Sequence, residues 1–166
     1  MPALKKNHRA MKKTPQNAPA FVNRNLPLLL LQARESVIRR FRPVLNANGV
    51  TEQQWRIIRV LAERGPTEPR DLVRLCSISS PSLTGILARL VDLKLIARES
   101  VPSDQRRILV SLTPKCRALA ARVMPEVDAI YAELQADLGK EFKAELYGIL
   151  DRLIEILDGE SEPVED

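Results

Sequence analysis

The chain has little of what soluble enzymes commonly use. Its 166 residues hold one histidine, His8, which stands in a stretch without apolar periodicity. With six glycines and no suitable neighbours, no Ser–His pair, Cys–His pair or phosphate-cradling loop can be assembled. The residues therefore point away from catalysis. The two cysteines, Cys76 and Cys116, are too few and too far apart for a disulfide framework or a metal-ligand cluster, so no metal or other cofactor is expected. Aromatics are scarce, at three Phe, two Tyr and one Trp, which leaves Leu, Ile, Val and Ala to form most of a core. No apolar run approaches the ~20 residues that cross a bilayer. Leu28–Leu31 is too short for a secretory leader, and the arginines after it do not resemble a cleavage site. A cytoplasmic location away from the membrane is expected.

What is present in excess is positive charge, but it is unevenly placed. The net +5 divides into +6 over residues 1–25, +4 over 26–65, +2 over 66–113 and −7 over 114–166. A basic balance by itself is thus no argument for nucleic acid. The positions of individual arginines have to carry it. Residues 1–25 lack a sustained apolar period and read as a disordered basic tail, either a phosphate-following arm or a solvated leader. GESEPVED at 159–166 reads as a frayed acidic tail.

Between the tails, helical signals dominate. Leu26-Pro27 can open a helix carrying Leu30, Val37, Ile38, Phe41 and Leu45 at helical spacing, with Asn48-Gly49 as the stop. Thr51 and Gln54 form a capping box for a second helix, whose expected inner face is Trp55, Ile58, Leu61 and Ala62. Thr67 is placed as the cap of EPRDLVRLC, with Leu72, Val73 and Leu75 facing inward. After a turn at Ser77–Ser79, Ser79 or Ser80 caps a helix to about Leu93, with Leu83, Ile86, Leu87 and Leu90 inside. Its other faces carry only small groups, Ser80, Ser82, Thr84 and Gly85, as close approach to base edges requires. Small polar residues also decorate ordinary solvent faces, so the neighbours decide. Those neighbours are two strands, Leu95–Ser100 and Ile108–Leu112, joined by a turn at Pro102–Arg107. Asp104 and Arg106 are close enough to pair, leaving Arg107 for a phosphate or a minor groove. Thr113-Pro114 then opens a long helix to about Leu138, bent at Pro125. A last helix from Lys140 to Leu157 has a wide apolar stripe.

Helix, turn, helix and basic-tipped hairpin in this order define the expected fold. It is mainly α with a small β-hairpin wing, a winged helix-turn-helix over 48–113. The stripes of the first and last helices exceed what that lobe can cover. Residues 26–47 and 114–158 are therefore assigned to a helical dimerisation region, and the chain to a homodimer. Double-stranded DNA is the expected partner. Ser79, Ser80, Ser82 and Thr84 are candidates for the major groove, Arg89 for a phosphate, and Asp104, Arg106 and Arg107 for the wing.

Asp104-x-Arg106, with Leu112-Thr113 closing the hairpin, resembles the MarR (multiple antibiotic resistance) family of regulators over roughly residues 26–158. LLQARESVIRRFRPVL, TEQQWRIIRVLAE and SSPSLTGILARL are similar to the repressors of homoprotocatechuate degradative operons within it. The resemblance implies a repressor of an aromatic-acid catabolic operon. Such a protein binds a pseudo-palindromic operator as a dimer and is released by a small phenolic or aromatic carboxylate. Three positions depart from the pattern: Cys116 stands where glycine is common, Ser80 where an arginine is common, and the basic tail is long.

A ligand site has its own signal. Arg34 lies in the register Leu30–Arg34–Ile38–Phe41, which puts a guanidinium in an apolar stripe. It needs an internal acid, such as one from the last helices, or an anionic guest. Arginine grips a carboxylate through two parallel hydrogen bonds, and Trp55 and Arg59, one turn apart, could add a stacking face and a second donor. Two rival readings stand beside this one. The first is a redox-sensing repressor in which a helix start and Lys115 lower the pKa of the Cys116 thiol. The second is a dimerisation adaptor that does not bind DNA.

Overall fold

The computed structural model describes residues 23–101 and 104–158. The basic tail up to residue 22, the acidic tail at 159–166 and the hairpin tip at 102–103 lie outside the described residues. The fold is a mainly helical winged helix-turn-helix, with six helices and one two-stranded antiparallel hairpin among the described residues.

Helix α1 (Leu26–Ala47) is capped by Asn25, whose side chain accepts the Leu28 amide at 2.9 Å, and Pro27 takes a first-turn position. Helix α2 (Glu52–Arg64) closes the expected capping box: the Gln54 amide donates to Thr51 Oγ1 at 3.2 Å and the Thr51 amide to Gln54 Oε1 at 2.9 Å. Its inner face differs by one step from the expected one. Ala62 is exposed and Ile57 is buried with Trp55, Ile58 and Leu61. The reason is that α2 is covered on two sides, by α1 and the later long helix on one and by the winged elements on the other.

Helix α3 (Pro69–Cys76) starts one residue later than expected. Glu68, not Thr67, holds the cap position and makes no side-chain cap bond. Thr67 is taken up elsewhere: its hydroxyl donates to the Gly65 carbonyl at 2.9 Å, and its backbone bridges Val110 in both directions at 3.0 and 2.9 Å. Helix α4 (Ser80–Asp92) has Ser79 at its cap position, but the Ser79 hydroxyl donates to Ser82 Oγ at 2.9 Å instead of accepting a helix amide. Pro81 in the first turn removes one of the amides a cap would satisfy.

Strands β1 (Ile96–Val101) and β2 (Asp104–Leu112) pair in register from Ile96 with Leu112 to Ser100 with Ile108. The register then slips, and Val101 faces Asp104. Arg106 and Arg107 therefore lie inside β2, not in a turn as the sequence suggested. Helix α5 (Pro114–Leu138) is capped by Thr113, which accepts the Cys116 amide at 3.1 Å, and it runs on through Pro125. Helix α6 (Lys140–Asp158) follows Gly139 and has no buried residue. One core joins the rest. Leu45, Ile57, Ile58, Leu72, Leu87, Leu90 and Val110 are fully buried, and Val123 and Val127 extend the cluster along α5.

Candidate DNA interface and effector pocket

The outer face of α4 presents Ser79, Ser80, Ser82 and Thr84 exposed, with Gly85 facing open space. The opposite face is anchored by Leu83, Leu87 and Leu90. With Leu on one side and Ser80, Ser82, Thr84 and Gly85 on the outer side of its first turns, the N-terminal half of the helix can approach a surface closely. The Thr84 hydroxyl is turned onto the Ser80 carbonyl at 3.0 Å, so Ser80 and Ser82 keep the freer hydroxyl hydrogens on this face. Arg89, near the end of α4, is exposed and makes no ion pair among the described residues.

The wing differs from the expected arrangement in its two arginines. Asp104 does not form an ion pair with the Arg106 side chain; its carboxylate accepts the Arg106 backbone amide at 3.1 Å and shapes the chain there. The Arg106 side chain is exposed, and no carboxylate among the described residues lies in ion-pair range of it. Arg107 was expected to be the unpaired one. It is held instead by Glu68, with Nε at 2.7 Å and Nη2 at 2.5 Å from the same oxygen, Oε1. This pairing raises the Arg107 pKa, and so does not threaten its charge.

Arg34, Trp55 and Arg59 meet in one cavity of about 620 Å³ between α1, α2, α5 and α6. In a chain with six aromatic residues, four line this cavity: Phe41, Trp55, Tyr131 and Tyr147. Phe41 and Tyr131 meet edge to face with centroids 5.0 Å apart. Arg59 donates to the Tyr131 hydroxyl at 3.0 Å and to Glu63 at 2.7 Å, and the Glu63 hydrogen bond is the main reason its pKa is raised.

The acid that meets Arg34 comes from α2 and not from the last helices. It is Glu52, mostly buried, which also accepts Arg56 at 2.6 Å and lies 3.7 Å from Arg42. Arg34 itself stays 45% exposed in the single chain, so it stands at the cavity rim and is not sealed into a stripe. Arg42 is mainly engaged by Glu35, whose carboxyl it holds below the usual carboxylate range. Three guanidinium groups thus face two carboxylates, and the rim carries an uncompensated positive charge. Arg56, Glu52 and Tyr131 escaped the sequence reading. The scarcity of Tyr could have singled out Tyr131, whereas Glu52 looked like an ordinary first-turn acid.

Cys116 is fully buried, and burial pushes its thiol pKa up; the same holds for Cys76. Lys115, expected to help ionise Cys116, points away and donates to the Leu93 carbonyl at 2.8 Å. The structure thus removes the basis of the redox reading. Among the described residues no group of His, Cys, Asp and Glu is arranged to hold a metal ion, and no helix is long and apolar enough to cross a membrane.

A helix-turn-helix with a basic hairpin beside a small-residue helix defines a DNA-binding transcriptional regulator. Comparison with known proteins makes this specific. Residues 48–107 match the MarR family. The chain is 43% identical to the HTH-type transcriptional regulator FarR of Neisseria gonorrhoeae, over 78% of this chain and 88% of that one. It is 36% identical to the homoprotocatechuate degradative operon repressor of Escherichia coli, over 84% of this chain and 95% of that one. Among solved structures, NadR in complex with 4-hydroxyphenylacetate is 39% identical and superposes with a TM-score of 0.72, covering 84% of this chain and 99% of that one. The protein belongs to the MarR family of transcriptional regulators.

Proposed function

We propose that this regulator is a homodimeric, cytoplasmic repressor of an aromatic-acid catabolic operon, released from a pseudo-palindromic operator by a small phenolic or aromatic carboxylate. The observation that carries the ligand assignment is the cavity. It gathers four of the chain's six aromatic residues under a rim where arginines outnumber acids. Aromatic walls suit a ring, and a surplus guanidinium suits a carboxylate. NadR, with 39% identity, binds 4-hydroxyphenylacetate in its crystal structure, and the Escherichia coli relative represses a homoprotocatechuate operon. Both support the same ligand class here.

In the dimer, two copies of α4 read half-sites about 34 Å apart, with Ser79, Ser80, Ser82 and Thr84 at base edges, Arg89 on a phosphate and Arg106 at the flanking groove. The ligand acts by preferring a spacing of the two lobes that does not match this repeat. Taking the DNA-competent form from 99% to 1% requires about 5.5 kcal/mol of differential affinity. Trp55 is the only tryptophan and lines the cavity, so its fluorescence reports occupancy directly.

The test titrates 4-hydroxyphenylacetate into the wild-type protein and Arg34→Ala on a duplex from the region upstream of the protein's own gene. Wild type is expected to quench Trp55 and leave the duplex, while Arg34→Ala keeps its DNA affinity and no longer responds. Equal release by both proteins would end the assignment of Arg34.

A further inference from the structure

We infer that Glu68 is a positioning residue for DNA binding: it clamps Arg107 as a strut between α3 and the wing, so that Arg106 alone is presented to DNA. The inference rests on the assignment of the wing to DNA given above.

The need for a strut comes from the hairpin's register. Ser100 faces Ile108 and Val101 faces Asp104, so residues 105–107 have no partner on β1. Both wing arginines sit in this unpaired bulge. A bulge re-aims side chains but gives up the ladder bonds that would fix them. The base of β2 is secured at Val110 by its two backbone bonds to Thr67. Arg107 is three residues nearer the tip, roughly 10 Å along an extended strand. There the hold passes to a side chain, and the residue supplying it is Glu68, the immediate neighbour of Thr67. The two anchors thus tie the same two segments together at successive points, and a wing held at both cannot swing about the lower one.

The geometry also says which arginine is spent on this. Glu68 is 12% exposed on its side chain, and its other oxygen, Oε2, takes Arg70 Nε at 3.0 Å. If Arg107 left for a phosphate, a largely buried carboxylate would be left with only the 79% exposed Arg70. The pair therefore stays closed when DNA arrives. Arg107, although its side chain is 53% exposed, is tied to Glu68, whereas Arg106 is exposed with no carboxylate among the described residues in ion-pair range, its amide pinned by Asp104. In β2, one arginine sets the angle and the other meets the DNA.

Affinity and salt dependence for a duplex from the upstream region and for a random duplex separate the roles. Each phosphate that is no longer neutralised reduces the magnitude of the log–log salt slope by about 0.9. Arg106→Ala is expected to show that reduction. Arg107→Ala and Arg107→Lys are expected to weaken binding about tenfold with the wild-type slope, because lysine keeps the charge but lacks the two-nitrogen grip on Glu68. Glu68→Gln should weaken binding by a similar factor, and the double variant Glu68→Gln/Arg107→Ala should be no weaker than either single one. Thermal unfolding of Arg106→Ala, Glu68→Gln and the double variant should stay near wild type, whereas Arg107→Ala, which leaves the Glu68 carboxylate with only Arg70, should unfold at a somewhat lower temperature. Tighter binding by Glu68→Gln, or a slope lowered by about one in Arg107→Ala with full retention in Arg107→Lys, would overturn the strut and make Glu68 a competitor of DNA for Arg107. A wild-type protein with no salt-dependent binding to either duplex would instead overturn the DNA-binding function itself.

Discussion

The winged lobe and the long-helix region of this chain treat their apolar residues in opposite ways. In the lobe, Leu72, Leu83, Leu87, Leu90 and Val110 are closed off by the lobe's own helices and hairpin. In the long helices, Leu26, Leu28 and Leu31 of α1 and Phe142, Ile149, Ile154, Ile156 and Leu157 of α6 stand about half exposed. Of the sixteen large hydrophobic residues exposed among the described residues, eleven belong to α1 and α6. So many exposed large apolar side chains on two helices are uncommon on a monomer and common where copies associate. One region carries its own solvent shield, and the other leaves its apolar faces open, as the proposed dimer requires. The aromatic-lined cavity lies between them, walled by α2 on one side and by α1, α5 and α6 on the other. On the proposed function, a ligand placed there would touch both the lobe assigned to DNA and the helices assigned to the dimer.

That contrast can be broken most severely on the unshielded side. Charging α6 with Ile154→Glu and Ile156→Glu is expected to give monomers by light scattering and to cost about 10²–10⁴ in affinity for a two-half-site duplex, because the second lobe no longer binds intramolecularly. A dimer that survives this pair would move the interface elsewhere. Inside the shielded lobe, Leu87→Ala removes a fully buried side chain from the inner face of α4 and should cost about 2–5 kcal/mol in denaturant unfolding. An unchanged midpoint would mean that the lobe does not hold α4 by its core. At the cavity, Tyr131→Phe should leave folding intact and remove the hydroxyl that receives Arg59, weakening 4-hydroxyphenylacetate binding by about 0.5–1.5 kcal/mol as read by Trp55 quenching.

The smallest effect concerns Cys116. Its raised pKa keeps it a thiol at neutral pH, with ionisation moved to more alkaline pH than for a free cysteine. Alkylation of the folded protein at pH 8 should therefore be slow and accelerate only on unfolding. Peroxide treatment should leave DNA binding of wild type and Cys116→Ser alike.

Much of the fold was legible because short-range rules govern it. The Thr51–Gln54 capping box, Thr113-Pro114, the leucine stripe of α4 and the strand segments Leu95–Ser100 and Ile108–Leu112 are local patterns, and each produced the element it signals. The misreadings came where a residue had two uses. Thr67 has the chemistry of a helix cap but is drawn into a bridge with Val110, which leaves the cap position to Glu68. Ala62 was placed inside by spacing alone, whereas α2, packed on two sides, turns Ile57 inward instead. For the candidate site, Arg34, Trp55 and Arg59 could be named from register and residue type. Tyr131 lies seventy-two positions from Arg59 and became its neighbour only when α5 packed on α2.

The order of amino acids, by period and capping chemistry, determined which segments are helices, where the hairpin lies and which faces are apolar. Only the packed molecule decided which charge meets which: Arg34 with Glu52, Arg59 with Tyr131, Arg107 with Glu68. The physical reason is range. Helical period and capping act within a turn or two of backbone, whereas an ion pair is fixed by where two distant elements come to rest.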